Sequence, residues 1–486
     1  MSGDTVAVTG PGRTAPAVAR LIRPRSYEEA AAAVRDCGAR GAVPRGLGRA
    51  HGDAARNAGG AVLDMTGLDR IHVVDASEGI VLCDAGVLLH RLADVLLPLG
   101  WFLPVAPGTR RVTVGGAIGA DLHGGDHHVS GSFSHHVLSL ELLTADGEVR
   151  TVSPGTPLFE ATAGGMGLTG IILTATFRLL PVETAYLTVD TERAADLDGL
   201  LARLGAGDHR HRYSVARIDL LARGAATGRG VVTRAEHAPP DALGRGTRAW
   251  RHSLSVRPRR LPSALGPVPS APASVPSAAA FLPGGPLGPA ALLPGGLLGP
   301  AGLLPSGLLG PSAVALVNEL WFRTAPRART GQIQRLSAFF PPLDGLPHRN
   351  RPHGGGFVQY QFVIGHGRED ALHRIVRRIA ERRLPSFPAV LKRLGDAGPG
   401  WLSFPVPGWT LALDIPAALP GLASFLDELD EEVAAAGGRV CLAEDARLRP
   451  DLLAAMYPRV ADFRDLRARL DPRGVFVSDL ARRLRL

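Results

Sequence analysis

The sequence predicts an α+β chain of two unlike parts, and three observations carry that prediction. Glycines crowd three places in the first part, at 45–49, 107–128 and 164–170. The same part mixes a few helices with strand-like runs and an Asp146-Gly147 hairpin, instead of a regular β-α alternation. From about Tyr186 the elements lengthen, become more polar and lose their glycine loops, which places a second domain there. At 486 residues the chain is long enough to bury a core in each.

Residues 18–22 read as a strand. Ser26 is a fitting N-cap for a helix over 27–37, with Glu28 and Glu29 in its first turn. Residues 38–43 return as a short strand into the first glycine loop. From Gly46 to Gly52 that loop has one residue too many for the dinucleotide fingerprint, and strand-like runs at 61–65, 71–75 and 80–85 follow instead of a helix. A helix over 88–97 ends at Pro98, strands at 138–144 and 148–152 flank the hairpin, and 171–180 closes the region as a strand. In the 107–128 stretch, glycines surround Val112, Thr113 and Val114. Such density lets a backbone approach something flat or anionic, because no Cβ intervenes. Three loops of this kind point to a large phosphate-bearing cofactor wrapped by backbone N–H groups.

In the second part, 314–323, 356–364 and 411–415 read as strands, and the second of these carries Gln359 and Gln361 on one face. Helices are expected over 370–383 and 422–436, with an arginine-rich helical tail at 463–470 and 477–486. Residues 261–318 hold no charged side chain and contain a degenerate eleven-residue repeat at 284–294, 295–305 and 306–316. Proline and glycine at this density forbid a packed helix. The segment reads as an insertion without structure of its own, or as an apolar lid for lipid or a hydrophobic substrate tail.

The net charge is +9, yet of 54 basic residues only Lys392 is a lysine. Because it is followed by Arg393, a Walker P-loop is excluded. The arginines are scattered and aromatics make up 5%, which argues against a nucleic-acid binder. The surplus charge suits anionic ligands or a membrane surface. Cys37, Cys83 and Cys441 are too far apart for a zinc or disulfide framework, so free thiols and no metal are expected. The first residues lack a signal-type apolar core, and no apolar run of about 18 residues occurs. A cytoplasmic protein is the expectation, with peripheral contact at the inner membrane face as an option.

Seven stretches together resemble the vanillyl-alcohol-oxidase (PCMH-type) FAD-binding family, and within it the decaprenylphosphoryl-β-D-ribose 2-oxidases. They are RGLGRAHGDAARNAGGAVLDMT (45–66), PGTRRVTVGGAIGADLHG (107–124), HHVLSLELLTADGEVR (135–150), GGMGLTGII (164–172), GFVQYQFVI (356–364), LSFPVPGW (402–409) and MYPRVADFRDLRARLDPRGVFVSDLARRL (456–484). The resemblance implies a two-part FAD-binding domain over 1–185, rejoined by a C-terminal segment at 437–486. Between them it implies an α+β substrate, or cap, domain over 186–436, built on an antiparallel sheet. It places Arg45, Gly46, Leu47, Gly48, Arg49, Pro107, Gly108, Thr109, Thr113, Gly115, Gly116, Gly119, His123, Gly167, Gly170, Ile172 and Cys441 around FAD. Arg49 stands where many members tether the flavin through histidine, so non-covalent FAD is implied, with His51 as the other position at which a tether stays open.

The resemblance further implies hydride transfer from a secondary carbinol to flavin N5, with a base for the hydroxyl proton. Lys392, His123 and His51 are the catalytic candidates. Lys392 also has support from composition, since an ammonium is compact and loses its proton when buried. Gln359, Gln361, Lys392, Thr410, Ala412, Arg217, Phe340 and Glu444 would meet the substrate. Several positions depart from the decaprenylphosphoryl-ribose pattern: His51 and Cys441 for tyrosine, Gly125 and Glu444 for lysine, Arg217 for tryptophan, Thr410 for asparagine, and Ala412 for cysteine. Two cations lost and one anion gained weaken the hold on a phosphate, with Arg217 expected to compensate in part.

The implied substrate is therefore a lipid-linked pentofuranose or a related sugar. The implied partner is an NAD(P)H-dependent keto-reductase that completes an epimerisation. Two other readings fit the same residues: an alditol or aldonolactone oxidase that uses oxygen, and a non-catalytic flavin-binding scaffold for a partner reductase.

Overall fold

A computed structural model describes residues 3–106, 108–109, 111–244, 311–340, 356–386 and 389–486. Three sheets organise these residues, together with a two-stranded ribbon.

The first sheet joins β1 (Asp4–Val8), β2 (Ala17–Ile22), β3 (Ala42–Arg45) and β4 (Ala61–Asp64) in the order β1-β2-β4-β3. The helix Tyr27–Arg35 connects β2 to β3, and the Ser26 side chain accepts from the Glu29 N–H as its cap. β3 begins later than the sequence predicts because Gly38 and Gly41, at φ of 79° and 71°, turn the chain first. Both β2 and β3 run parallel to β4, so β4 lies between them.

The second sheet holds β5 (Ile71–Asp75), β6 (Ile80–Asp84), β8 (Val137–Leu143), β9 (Val149–Val152) and β10 (Ile171–Arg178), in the order β5-β6-β10-β8-β9. The ribbon pairs β7 (Trp101–Phe102) with β11 (Leu180–Pro181). The helix Leu89–Leu96 buries Leu89, Leu92, Ala93 and Leu96 in the core of this sheet.

The third sheet is antiparallel, with β12 (Tyr186–Ala194), β13 (Tyr213–Ile218), β14 (Gly230–His237), β15 (Ala328–Arg335), β16 (Phe357–Gly365), β17 (Ala389–Leu394), β18 (Gly408–Pro416) and β19 (Arg439–Val440). Their order is β15-β12-β14-β13-β17-β18-β16-β19. Alternation along β16 decides what each face does. Tyr360, Phe362 and Ile364 join the core that includes the helices Glu369–Arg382 and Leu422–Ala435, and Tyr360 donates to Asp430 on the latter at 2.9 Å. Gln359 and Gln361 take the other face.

One predicted element is corrected. Residues 314–323, expected as a strand, lie in the helix Pro311–Thr324. Val314, Val317, Asn318 and Trp321 are its buried residues, and their spacing of three, one and three is that of a helix face, not of a strand. The repeat segment at 261–310 lies outside the described residues, and its last residues, 311–318, belong to this helix.

The chain end folds back onto the first sheet. Phe476 forms a parallel bridge with Ala42, and Arg483 donates to both carboxylate oxygens of Asp53 at 2.9 and 2.8 Å. It also pairs with Asp445 at 2.9 Å, which ties the loop after the first glycine cluster to the 441–445 segment.

Candidate active site

One cavity of about 460 Å³ gathers all three glycine clusters and the free face of the third sheet. Its glycine-rich wall is built by a local feature that the sequence reading missed. Thr113 is an N-cap whose hydroxyl accepts from the Gly116 N–H, so Val114–Gly119 is a short helix. A Cβ on Gly46 would stand 2.2 Å from that same Thr113 hydroxyl, so the first cluster packs directly on the cap of the second. The third joins them where Met166 N–H donates to the Gly119 carbonyl at 2.9 Å.

Gly108 and Gly119 behave differently from Gly46. Among the described residues, a Cβ on Gly108 would meet no atom within 4 Å, and one on Gly119 only the Gly167 nitrogen at 3.9 Å. Both line the cavity, so a side chain at either would intrude on the space that a flavin dinucleotide needs. An apolar cavity with bare backbone at these points fits FAD.

Strand register places the polar wall. Across β17, β18 and β16, Lys392 lies opposite Thr410, Ala412 opposite Gln361, and Asp414 opposite Gln359. The Gln359 amide donates to Asp414 at 2.7 Å. Thr410 donates its hydroxyl proton to the Phe362 carbonyl at 2.9 Å, so its oxygen accepts from the Gln361 amide at 3.2 Å. That fixes the amide orientation and makes the same nitrogen the donor to His123 Nε2 at 2.9 Å. His123 is therefore neutral with its proton on Nδ1, in keeping with burial, which pulls its pKa well below the ordinary imidazole value, helped by Lys392 and His127.

Lys392 is also buried, and loss of solvation lowers its pKa, opposed by Asp126, Cys441 and Glu444. Asp126 acts on it through its charge; it accepts from the Ala106 N–H at 3.1 Å, and its other oxygen has no hydrogen-bond partner among the described residues. Burial raises its pKa to about 7. The Cys441 thiol is held in its neutral form by burial and by Glu444. His51 pairs with Glu444: the ring Nδ1 meets Oε2, and the His51 N–H donates to the same oxygen at 3.3 Å.

Among the residues singled out from sequence, Arg45, Gly46, Leu47, Gly48, Arg49, His51, Gly108, Thr109, Thr113, Gly115, Gly116, Gly119, His123, Gly167, Gly170 and Ile172 line this cavity. So do Phe340, Gln359, Gln361, Lys392, Ala412, Cys441 and Glu444. Thr410 acts on the wall through Gln361. Pro107 lies outside the described residues.

Arg217 is the exception. Its guanidinium lies over the Trp321 ring, 4.0 Å from the centroid, in the helix that the sequence reading took for a strand. It is not on the cavity wall, and so does not stand where it could compensate for the lost cations. The sequence reading also missed Asp414, Tyr213 and Asp126. Asp414 was within reach, since it follows Ala412 by two in an expected strand.

Comparison with known proteins agrees with this geometry. The family model of an FAD binding domain matches residues 18–153. An uncharacterized protein from the mprA 5′ region of Streptomyces coelicolor is 53% identical over 82% of this chain and 100% of its own. Decaprenylphosphoryl-β-D-ribose oxidase of Mycolicibacterium smegmatis is 39% identical over 99% of this chain and 98% of its own. L-gulono-1,4-lactone dehydrogenase of Mycobacterium tuberculosis is 30% identical over 36% of this chain and 41% of its own.

Proposed function

We propose that this chain, which belongs to the PCMH-type FAD-binding oxidoreductase family, oxidises a secondary hydroxyl of a pentofuranosyl substrate to a keto sugar. One observation carries this reading: Lys392, Gln359 and Gln361 face the same cavity as the three glycine loops. Likeness over nearly the whole length to an oxidase named for a decaprenylphosphoryl ribose supports the C2 hydroxyl of such a sugar, or of a related one.

When bound, FAD supplies a hydride acceptor at its N5. The chain does the rest. Lys392 Nζ takes the hydroxyl proton, because burial makes the neutral amine available at lower pH than an exposed lysine would allow. Gln361, oriented by Thr410 and His123, and Gln359, held by Asp414, keep fixed amide groups on the cavity wall that would orient the sugar. Phe340, Val215 and Ala412 exclude water around them. The cofactor is held non-covalently, with Arg49 at the usual tether position. The keto sugar then passes to an NAD(P)H-dependent keto-reductase, which completes an epimerisation.

A second reading, an alditol or aldonolactone oxidase that uses oxygen, is favoured by one observation, the Glu444 carboxylate on the wall. Anaerobic titration of the yellow holoprotein tests both. Bleaching by farnesylphosphoryl-β-D-ribofuranose supports the first reading. Bleaching by alditols or lactones alone, with fast recovery in air, replaces it with the second. Holoprotein that no sugar bleaches overturns the oxidase activity itself.

A further inference from the structure

We propose that the His51–Glu444 pair selects the substrate, accepting a hydroxyl of an uncharged sugar at His51 Nε2 and keeping phosphate away from that part of the cavity. The proposal rests on the reading of the cavity as a sugar-oxidising site and, within that reading, selects the related uncharged sugar over the phosphorylated one.

The pair is built from segments 393 residues apart, and both members line the cavity. Glu444 holds the ring at Nδ1 and the backbone N–H of the same residue, so the imidazole orientation is set from two points. A carboxylate at Nδ1 keeps the proton there and leaves Nε2 as an acceptor. That Nε2 is buried and has no hydrogen-bond partner among the described residues. An unmet buried acceptor is costly until a ligand brings a donor. A sugar hydroxyl brings one; an ionised phosphate oxygen does not.

Charge argues the same way. With the neutral imidazole that an accepting Nε2 requires, the pair carries −1 and offers no cation to a phosphate. Its surroundings do not reverse this. The Phe357 ring packs on His51 at 5.4 Å, and Cys441 stays a neutral thiol. Asp445, next to Glu444, adds a further carboxylate, itself committed to Arg483. The loop of His51 carries two cations: Arg45 donates to the carbonyls of Thr9 and Ala55, and Arg49, also on the cavity wall, donates from Nε to the Arg111 carbonyl at 3.2 Å. Lys392 is a cation whose field reaches Glu444, and burial disfavours its charge.

The test is equilibrium binding to oxidised holoprotein, read from the flavin spectrum, with methyl β-D-ribofuranoside and β-D-ribofuranose 1-phosphate as matched probes. Wild type is expected to bind the glycoside more tightly. Glu444→Gln should shift the preference about tenfold toward the phosphate by removing like-charge repulsion. His51→Phe should weaken the glycoside about tenfold while retaining FAD. A wild type that prefers the phosphate, or an unchanged ratio in Glu444→Gln, overturns the proposal. Loss of FAD from His51→Phe also overturns it, by placing the imidazole against the flavin instead. If the binding pattern holds while no sugar bleaches the flavin, the oxidase reading falls and the selectivity stands.

Discussion

Lys392 and Asp126 are buried groups of opposite charge, and burial weakens both ionised forms. Replacing Lys392 with Met should lower the rate of flavin bleaching by about 10²-fold or more with FAD content unchanged, as stopped-flow measurement would show. In wild type, kcat/KM should rise with pH through an apparent pKa below that of ordinary lysine, in the direction burial imposes. Asp126 affects stability instead. Its folded pKa, raised to about 7, exceeds that of an unfolded carboxyl, so stability is full in acid and falls as pH rises toward 7. Asp126→Asn keeps an acceptor for the Ala106 N–H and removes that loss. The variant should match wild type near about pH 4 and exceed it by as much as about 4 kcal/mol near about pH 8, measured by denaturation across pH. It should also move the acid limb of kcat/KM to lower pH, since Asp126 helps to keep Lys392 charged.

At the scale of elements, the glycine clusters differ in what their bareness serves, which the sequence does not distinguish. Gly46 is bare because Thr113 caps a helix against it, whereas Gly119 is bare toward the cavity. Gly119→Leu should therefore reduce bound FAD at least tenfold while apoprotein stability changes by less than about 1 kcal/mol, measured by flavin release and urea unfolding. Thr113→Ala should cost about 1 kcal/mol through the lost cap. Alternation was enough to place Gln359 and Gln361 together, because β16 is long and one face is plainly apolar. It failed at 314–323, where apolar side chains at helical spacing also suit a strand, and Arg217, placed at the substrate by the resemblance alone, lies against Trp321 of that helix. β13 gave no clear signal in a polar stretch, so Tyr213 went unnoticed on the cavity wall. The His51–Glu444 contact joins loops far apart in the chain, and no local pattern announces it.

In the molecule as a whole, the glycine-loop wall depends on the chain end. Arg483 bridges Asp53, in the segment after the first glycine loop, and Asp445, next to Glu444. Both carboxylates are mostly hidden from solvent, at 7% and 5% exposure, so neither can rely on water if the arginine is lost. Removing one member of such a buried set leaves uncompensated charge and costs roughly 3–5 kcal/mol. Arg483→Met should therefore lower stability by about that amount in urea unfolding. It should also loosen both loops that carry the His51–Glu444 pair, so FAD should dissociate faster than from wild type. A surface role for Arg483 would predict neither effect, since exposed ion pairs contribute at most about 1 kcal/mol. The double variant Arg483→Met with Asp53→Asn discriminates further: relief of one stranded carboxylate should recover part of the stability, whereas simple loss of packing would leave it unrecovered.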